Sequence, residues 1–304
     1  MTETIGFIGL GNMGGPMSRN LLDAGFTVVG SDLDADKLAA FVAAGGNAAD
    51  DALDAARQGT IVFTSLPGPK QVEAVGTAML EVMEPGNVWV DLSTNDLTCA
   101  RTVAVVAAEA GVDLLDAPVT GGAEGAEAGT LSVLVGGDVD VWERCRSALE
   151  AIGDRIDLLG PREAGYVAKI AQVSLCYLHS VCLTEAMLLG VKGGVDPDKM
   201  LDIIQNSTGR SYVADRYGPE ILNGGYDDTF DLELAAKDLR LAMELARDVD
   251  ATLPFTQQVT DFYASTVSQF GPTAPHLQAM QALEEQNDLI LHQHAPSKST
   301  KEDS

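Results

Sequence analysis

The sequence predicts an α/β protein, a doubly wound parallel sheet followed by an all-α domain that a long helix joins to it. Three observations carry this expectation. Up to about residue 160, short apolar runs alternate with helical segments of about 10–15 residues, the spacing of parallel strands joined by crossover helices. After Gly160 the strand signals stop and only helical patterns continue. At the start, Gly9, Gly11 and Gly14 fall in G-x-G-x-x-G spacing between a strand-like run and an amphipathic helix, as in a dinucleotide-binding Rossmann turn.

Strands are expected at Thr4–Gly9, Thr27–Ser31, Thr60–Ser65, Val88–Leu92, Val112–Leu115, Leu131–Val135 and Ile156–Leu159. Ala164–Gly193 then reads as one long, mostly apolar helix. Further helices are expected at Pro197–Gln205, Tyr212–Leu222, Leu232–Asp248 and Pro254–Phe270. Residues 1–162 would form the dinucleotide-binding domain and residues 163–290 an all-α domain for substrate and oligomer contacts. Residues 291–304, rich in Ser, Lys and acidic groups, read as a solvated flexible tail.

Each part of the first 35 residues has a physical task. Gly9 turns the chain off the first strand, Gly11 lets bare backbone approach a pyrophosphate, and Gly14 lets the helix pack on the sheet. With Leu10, Asn12 and Met13 they line the loop, whose helix N–H groups would face the phosphates. Asp32 ends the second strand-like run, 18 residues after Gly14, where a carboxylate accepts hydrogen bonds from ribose hydroxyls. Polar loops also follow the other predicted strands, at Ser65–Gly68 (with Leu66 and Pro67), Ser93–Thr94 and Ala117–Gly122. In a doubly wound sheet that is the edge where ligands bind.

Composition narrows the function classes. The chain has 304 residues and a net charge of −26, which repels nucleic acid and anionic membranes. No uncharged apolar run reaches 18 residues, and a strand begins within four residues of the N-terminus, so neither a membrane span nor a signal peptide is expected. Four cysteines, Cys99, Cys145, Cys176 and Cys182, show no C-x-x-C spacing; reduced thiols in a cytoplasmic protein without a zinc site are expected. His292 and His294 sit together near the C-terminus, a pairing more often incidental than metal-binding.

Three further groups of residues have the chemistry of a site. Thr120 offers a hydroxyl beside the backbone N–H groups of Gly121 and Gly122, a concavity suited to a carboxylate, although a glycine-rich connection reads the same way. Lys169 is the only Lys or Arg between Ala164 and Leu189; burial there would lower its pKa and fit it for proton transfer, whereas a lysine at a helix end commonly snorkels to water. Lys237–Asp238 lies in a helix that follows Phe230, and such a pair is ordinarily a solvated face.

Taken in order, GFIGLGNMG (Gly6–Gly14), DLST (Asp91–Thr94), DAPVTGG (Asp116–Gly122), GYVAK (Gly165–Lys169) and KDL (Lys237–Leu239) resemble the β-hydroxyacid dehydrogenase family, over nearly the whole chain up to the tail. The resemblance implies Lys169 as general acid/base and Thr120, Gly121 and Gly122 as the substrate-carboxylate loop, with threonine replacing the more usual serine. It places Thr94 near the nicotinamide and the substrate, Phe230 and Asp238 along the site, and Lys237 near the cofactor. It also implies a small carboxylate substrate in a crevice between domains, and a homodimer or homotetramer.

Two departures stand out. The family commonly continues K-x-x-N-N, and here Gln172 and Val173 occupy those positions. Val173 shares a helix face with Lys169, so an apolar group replaces an amide that would bind substrate. Glu163 stands where a glycine often precedes the helix. At the adenosine end, NADP-preferring members place Asn or Ser followed by Arg, whereas this chain has Asp32 followed by Leu33; a carboxylate would repel a 2′-phosphate, so NAD is the expected cofactor.

The sequence therefore predicts an NAD-dependent oxidoreductase acting on a small β-hydroxy acid of the 3-hydroxyisobutyrate type or on its semialdehyde. An aldehyde or imine reductase of the same superfamily with a more apolar substrate is the alternative, and a non-catalytic NAD-binding protein a third.

Overall fold

Apolar residues fill the central strands on both faces, as a parallel sheet covered by helices requires. In the computed structural model, which describes residues 3–293, the first half runs β1 (Thr4–Ile8), α1 (Gly14–Asp23), β2 (Thr27–Ser31), α2 (Ala35–Ala43), β3 (Asn47–Ala48), α3 (Ala52–Gln58), β4 (Ile61–Thr64) and α4 (Pro69–Leu80). It continues β5 (Val88–Asp91), α5 (Leu97–Ala110), β6 (Asp113–Asp116), β7 (Val119–Thr120), α6 (Gly122–Ala128), β8 (Leu131–Gly137), α7 (Val139–Ile152) and β9 (Gly153–Gly160). The strand order is β3-β2-β1-β4-β5-β6-β8-β7, with β9 paired to β8. Alternate residues supply two cores: Val28, Ile61, Phe63, Val88 and Val90 belong to one, and Val29, Val62 and Trp89 to the other.

The sheet is parallel from β3 through β6, but β8 runs antiparallel to both β6 and β7. Uniform parallel pairing was the expectation. Between β6 and β8 lie the two-residue β7 and the 7-residue α6, and β8 returns antiparallel beside both β6 and β7.

The second half is all-α: α8 (Ala164–Lys192), α9 (Pro197–Gln205), α10 (Tyr212–Arg216), α11 (Gly218–Asn223), α12 (Leu232–Asp248), α13 (Pro254–Phe270) and α14 (Ala279–Gln286), with 3-10 turns at His276–Gln278 and Leu291–Gln293. The single helix expected at Tyr212–Leu222 is broken at Tyr217. Pro219 lacks an N–H and its ring would clash with the carbonyl four residues back, so it sits in the first turn of a new helix. Leu291 is fully buried, so ordered packing extends past the expected start of the tail at residue 291; His294 lies outside the described residues.

Two compact units meet between Ala171 and Gln172, inside α8. The first turns of α8 thus belong with the sheet. Its later residues Val173, Tyr177, Leu183, Met187 and Leu188 join Leu201, Leu232, Leu239 and Tyr263 in the core of the helical unit. By length and composition α8 is apolar enough to cross a membrane, although Lys169 and Glu185 keep its uncharged stretch below 18 residues. Burial of those later residues in the helical core accounts for part of its apolar character.

Candidate active site

In the sheet unit the glycine loop has the shape a dinucleotide needs. Gly9 has φ +94°, which favours glycine, and its N–H donates to the Ser31 carbonyl at 2.9 Å. A Cβ on Gly14 would collide with the Gly9 carbonyl, whereas one on Gly11 would meet nothing nearer than Lys37 Nζ at 3.9 Å. Backbone at Gly11 is therefore open to a close ligand, while Gly14 is pressed against the loop. No side chain caps the N-terminus of α1. Buried Leu10 leads into half-buried Met13 and exposed Asn12.

Asp32 stands at the end of β2 with its carboxylate aimed back at this loop. Oδ2 accepts from the Leu10 N–H at 2.6 Å and Oδ1 from the Asp34 N–H at 2.8 Å. Asp34 and Asp36 follow, and Leu33 is fully exposed. These residues fit the adenosine half of a nicotinamide dinucleotide: open backbone for the pyrophosphate and a fixed carboxylate for the ribose.

Across the same edge, Thr64, Asp91, Asp116 and Gly136 are register partners on β4, β5, β6 and β8, so their side chains share one face. Asp91 Oδ1 accepts from Thr64 Oγ1 at 2.7 Å and from the Ser93 N–H at 3.1 Å, and Oδ2 from the Tyr166 hydroxyl at 2.7 Å. Trp89 Nε1 donates to Thr64 Oγ1 at 2.8 Å, and the Leu66 N–H to Ser93 Oγ at 2.9 Å. Leu66, Pro67 and Thr94 thus border one hydrogen-bonded group of loops. Burial pushes the Asp91 carboxyl up, opposed by its bonds from Ser93, Tyr166 and Thr64.

Asp116 holds the start of α8. Its carboxylate accepts from the backbone N–H groups of Glu163 (2.9 Å), Gly165 (2.7 Å) and Tyr166 (3.3 Å). Burial pushes its pKa to about 6 despite these donors. A Cβ on Gly165 would lie 2.8 Å from both the Asp116 carbonyl and its Oδ2, so glycine is what allows the helix to land there. A cavity of about 30 Å³ between these groups has room for about one or two waters and for no substrate. Lys169 follows one turn after Tyr166 and is half-buried.

The other expected anion site lies between β7 and α6. Half-buried Thr120 ends β7, and Gly121 and Gly122 have φ +133° and +68°, which explains glycine at both. No side chain caps α6.

In the helical unit, Gln172 is exposed and Val173 is buried in the apolar core. Asp238, also buried, accepts at Oδ2 from the Tyr177 hydroxyl (3.0 Å) and pairs at Oδ1 with Lys237 Nζ (3.1 Å). Oδ2 is thus hydrogen-bonded, while buried Oδ1 has the ion pair with Lys237 and no hydrogen bond. Phe230 packs edge-on against His276, whose Nε2 bonds Asp227 at 3.0 Å. Burial raises the Asp227 pKa, but bonds from His276 and Thr229 prevail and hold it at about 2.

Sequence reasoning missed Asp91, Asp116, Tyr166 and Tyr177 as polar anchors. The two aspartates sit inside the DLST and DAPVTGG motifs, but their partners at the start of α8 lie 47 to 75 residues away, and nothing local marks such pairings. Glu163 acquires an account: it has φ +80°, where glycine is easiest, and Arg101 grips its carboxylate at 2.9 and 3.1 Å.

A fold and a site of this kind define a nicotinamide-dependent dehydrogenase. Residues 4–160 match the NAD-binding domain of 6-phosphogluconate dehydrogenase, and residues 163–283 match the NAD-binding domain of NADP-dependent 3-hydroxyisobutyrate dehydrogenase. The chain is 40% identical to 2-(hydroxymethyl)glutarate dehydrogenase of Eubacterium barkeri, over 85% of this chain and 87% of that one. It is 36% identical to NAD-dependent L-serine dehydrogenase of Pseudomonas aeruginosa, over 88% and 93%. The solved structure of Mycobacterium tuberculosis 3-hydroxyisobutyrate dehydrogenase with L-serine superposes with a TM-score of 0.85 at 32% identity, covering 93% of this chain and 99% of that one. The chain belongs to the β-hydroxyacid dehydrogenase family and is an NAD(P)-dependent hydroxyacid dehydrogenase.

Proposed function

We propose that the protein interconverts a small β-hydroxy acid of the 3-hydroxyisobutyrate type and its semialdehyde with NAD, using Lys169 as general acid/base. The observation that carries this reading is the placement of Lys169 on a helix whose first turn is clamped to the carboxyl edge of β5 and β6. Thr120 Oγ1 and the N–H groups of Gly121 and Gly122 would hold the substrate carboxylate. Lys169 Nζ would take the hydroxyl proton during oxidation and return it during reduction. NAD, when bound, supplies the two-electron acceptor. Gly9–Gly14 and Asp32 would hold its pyrophosphate and ribose, and Leu66, Pro67 and Thr94 would border its nicotinamide end; in the helical unit, Lys237, ion-paired with Asp238, is the cofactor residue the family resemblance implies.

NAD is favoured over NADP because Asp32 is fixed by two N–H donors and followed by Asp34 and Asp36, a setting hostile to a 2′-phosphate. Val173 favours a second reading, a substrate with a bulkier or more apolar part, because an apolar side chain stands where the family commonly has an amide. The relative's named substrate, 2-(hydroxymethyl)glutarate, is itself a β-hydroxy acid with an added arm. A homodimer or homotetramer is the assembly the family resemblance implies.

The test is a panel with NAD⁺: 3-hydroxyisobutyrate, 3-hydroxypropionate, glycerate, serine, 4-hydroxybutyrate and 2-(hydroxymethyl)glutarate. The highest kcat/KM is expected on a 3-hydroxy acid. Turnover confined to 4-hydroxybutyrate, or absent from the whole panel, would overturn the assignment.

A further inference from the structure

Two buried carboxylates in the sheet unit, Asp91 and Asp116, have no place in the proton transfer or in carboxylate binding, yet both touch the first turn of the lysine-bearing helix. We propose that Tyr166 and Asp116 are positioning residues for Lys169, locking the rotation and depth of α8 so that the amine is set against the cofactor loops. The inference rests on the reading of Lys169 as the proton-transferring group.

The geometry carries it through two contacts of different kinds. Asp116 receives three N–H groups from the turn that opens the helix, which fixes how far the helix end stands from β6. Tyr166 reaches sideways to Asp91, which fixes the rotation of the helix about its own axis. Lys169 is three residues on, a rise of about 4.5 Å, and no flexible segment intervenes. The same Asp91 carboxylate takes the Ser93 N–H, and Ser93 Oγ takes the Leu66 N–H. One buried group therefore joins the loops expected at the nicotinamide to the turn just before the amine.

An ordinary helix cap requires none of this. Asp34, Asp51, Asp96 and Asp138 cap α2, α3, α5 and α7 with acidic side chains close in sequence. The α8 cap instead comes from 47 residues upstream, is buried, and needs glycine at 136 and 165 to fit. A lysine Nζ stands roughly 8 Å from its helix axis, so a rotation of about 10° would move it by about 1 Å, a displacement that can cost about 10²-fold in rate.

The experiment is a double-mutant cycle, Tyr166→Phe and Lys169→Ala alone and together, read by single-turnover rates with excess enzyme, NADH dissociation constants and Tm. Tyr166→Phe alone is expected to lower the rate by about 10- to 100-fold with the NADH dissociation constant within about twofold of wild type. In the Lys169→Ala background the same change is expected to cost nothing further, because its effect runs through the amine. Equal losses in both backgrounds, or a Tyr166→Phe rate within about twofold of wild type, would overturn the positioning role. Full turnover by Lys169→Ala alone would overturn the Lys169 assignment itself, whatever Tyr166→Phe does. Should Tyr166→Phe fail to fold, Asp116→Asn enters the same cycle with the same expected non-additivity.

Discussion

Asp116 shows how a single buried carboxyl ties helix position to pH. Its folded pKa of about 6 lies above the ordinary value of 3.8, so the folded state holds this proton more tightly than the unfolded chain. Its contribution to stability is therefore greatest below about pH 4 and declines as pH rises to about 6. Comparing wild type with Asp116→Asn cancels the titration of the other carboxylates. The stability of wild type relative to Asp116→Asn is expected to fall by a few kcal/mol between pH 4 and 7 in urea titrations, since each tenfold gain in proton affinity is worth about 1.4 kcal/mol. A difference that stays constant with pH would contradict the burial argument. Glu163 makes a second case at this scale. Glu163→Gly should change unfolding free energy by less than about 1 kcal/mol, since relief of left-handed strain offsets the lost ion pair and the greater freedom of the unfolded chain. Glu163→Val should cost about 2 kcal/mol, because a branched side chain fits φ +80° poorly. The glycine-to-glutamate departure was visible in the sequence, but its partner Arg101, 62 residues away, was not.

At the level of elements, the strong periodic signals located well. The strands of the central sheet, the long helix and the helices at Leu232–Asp248 and Pro254–Phe270 lie where apolar spacing placed them. The two-residue strands β3 and β7 carry too few residues to show alternation, and α14 was not expected. The antiparallel return of β8 rests on how the chain runs through β7 and α6, which apolar patterning does not encode. The first turns of α8 are held by β5 and β6 through Asp91 and Asp116, an attachment that apolar spacing does not reveal. Gly165 tests that attachment. Gly165→Ala puts a methyl into the Leu134 carbonyl and against Asp116, and should destabilise by about 1–3 kcal/mol. Its turnover should fall more than its affinity for NADH, as separate kinetic and fluorescence titrations would reveal.

For the whole molecule, the dinucleotide half was the more legible. The Gly9–Gly14 turn and Asp32 are local in sequence, and their geometry follows from a strand, a turn and a helix. The residues proposed for the substrate, Thr120, Val173 and Asp238 among them, are scattered along the sequence, so their chemistry could be named only through the family resemblance. Even then Asp238 is buried and takes the hydroxyl of Tyr177, 61 residues away, a partnership no spacing suggested. The fixed carboxylate of Asp32 leads to a kinetic expectation for the intact enzyme: kcat/KM for NAD⁺ should exceed that for NADP⁺ by at least about tenfold, and Asp32→Ser should narrow the gap. Equal efficiency with both cofactors would contradict it.

The central claim is that Lys169 moves the proton, and turnover of Lys169→Ala with NAD⁺ and the best hydroxy acid tests it most directly. The rate should fall by about 10²–10⁴-fold while NADH still binds within a fewfold of wild type. A variant that keeps near-full turnover would show that the proton moves elsewhere.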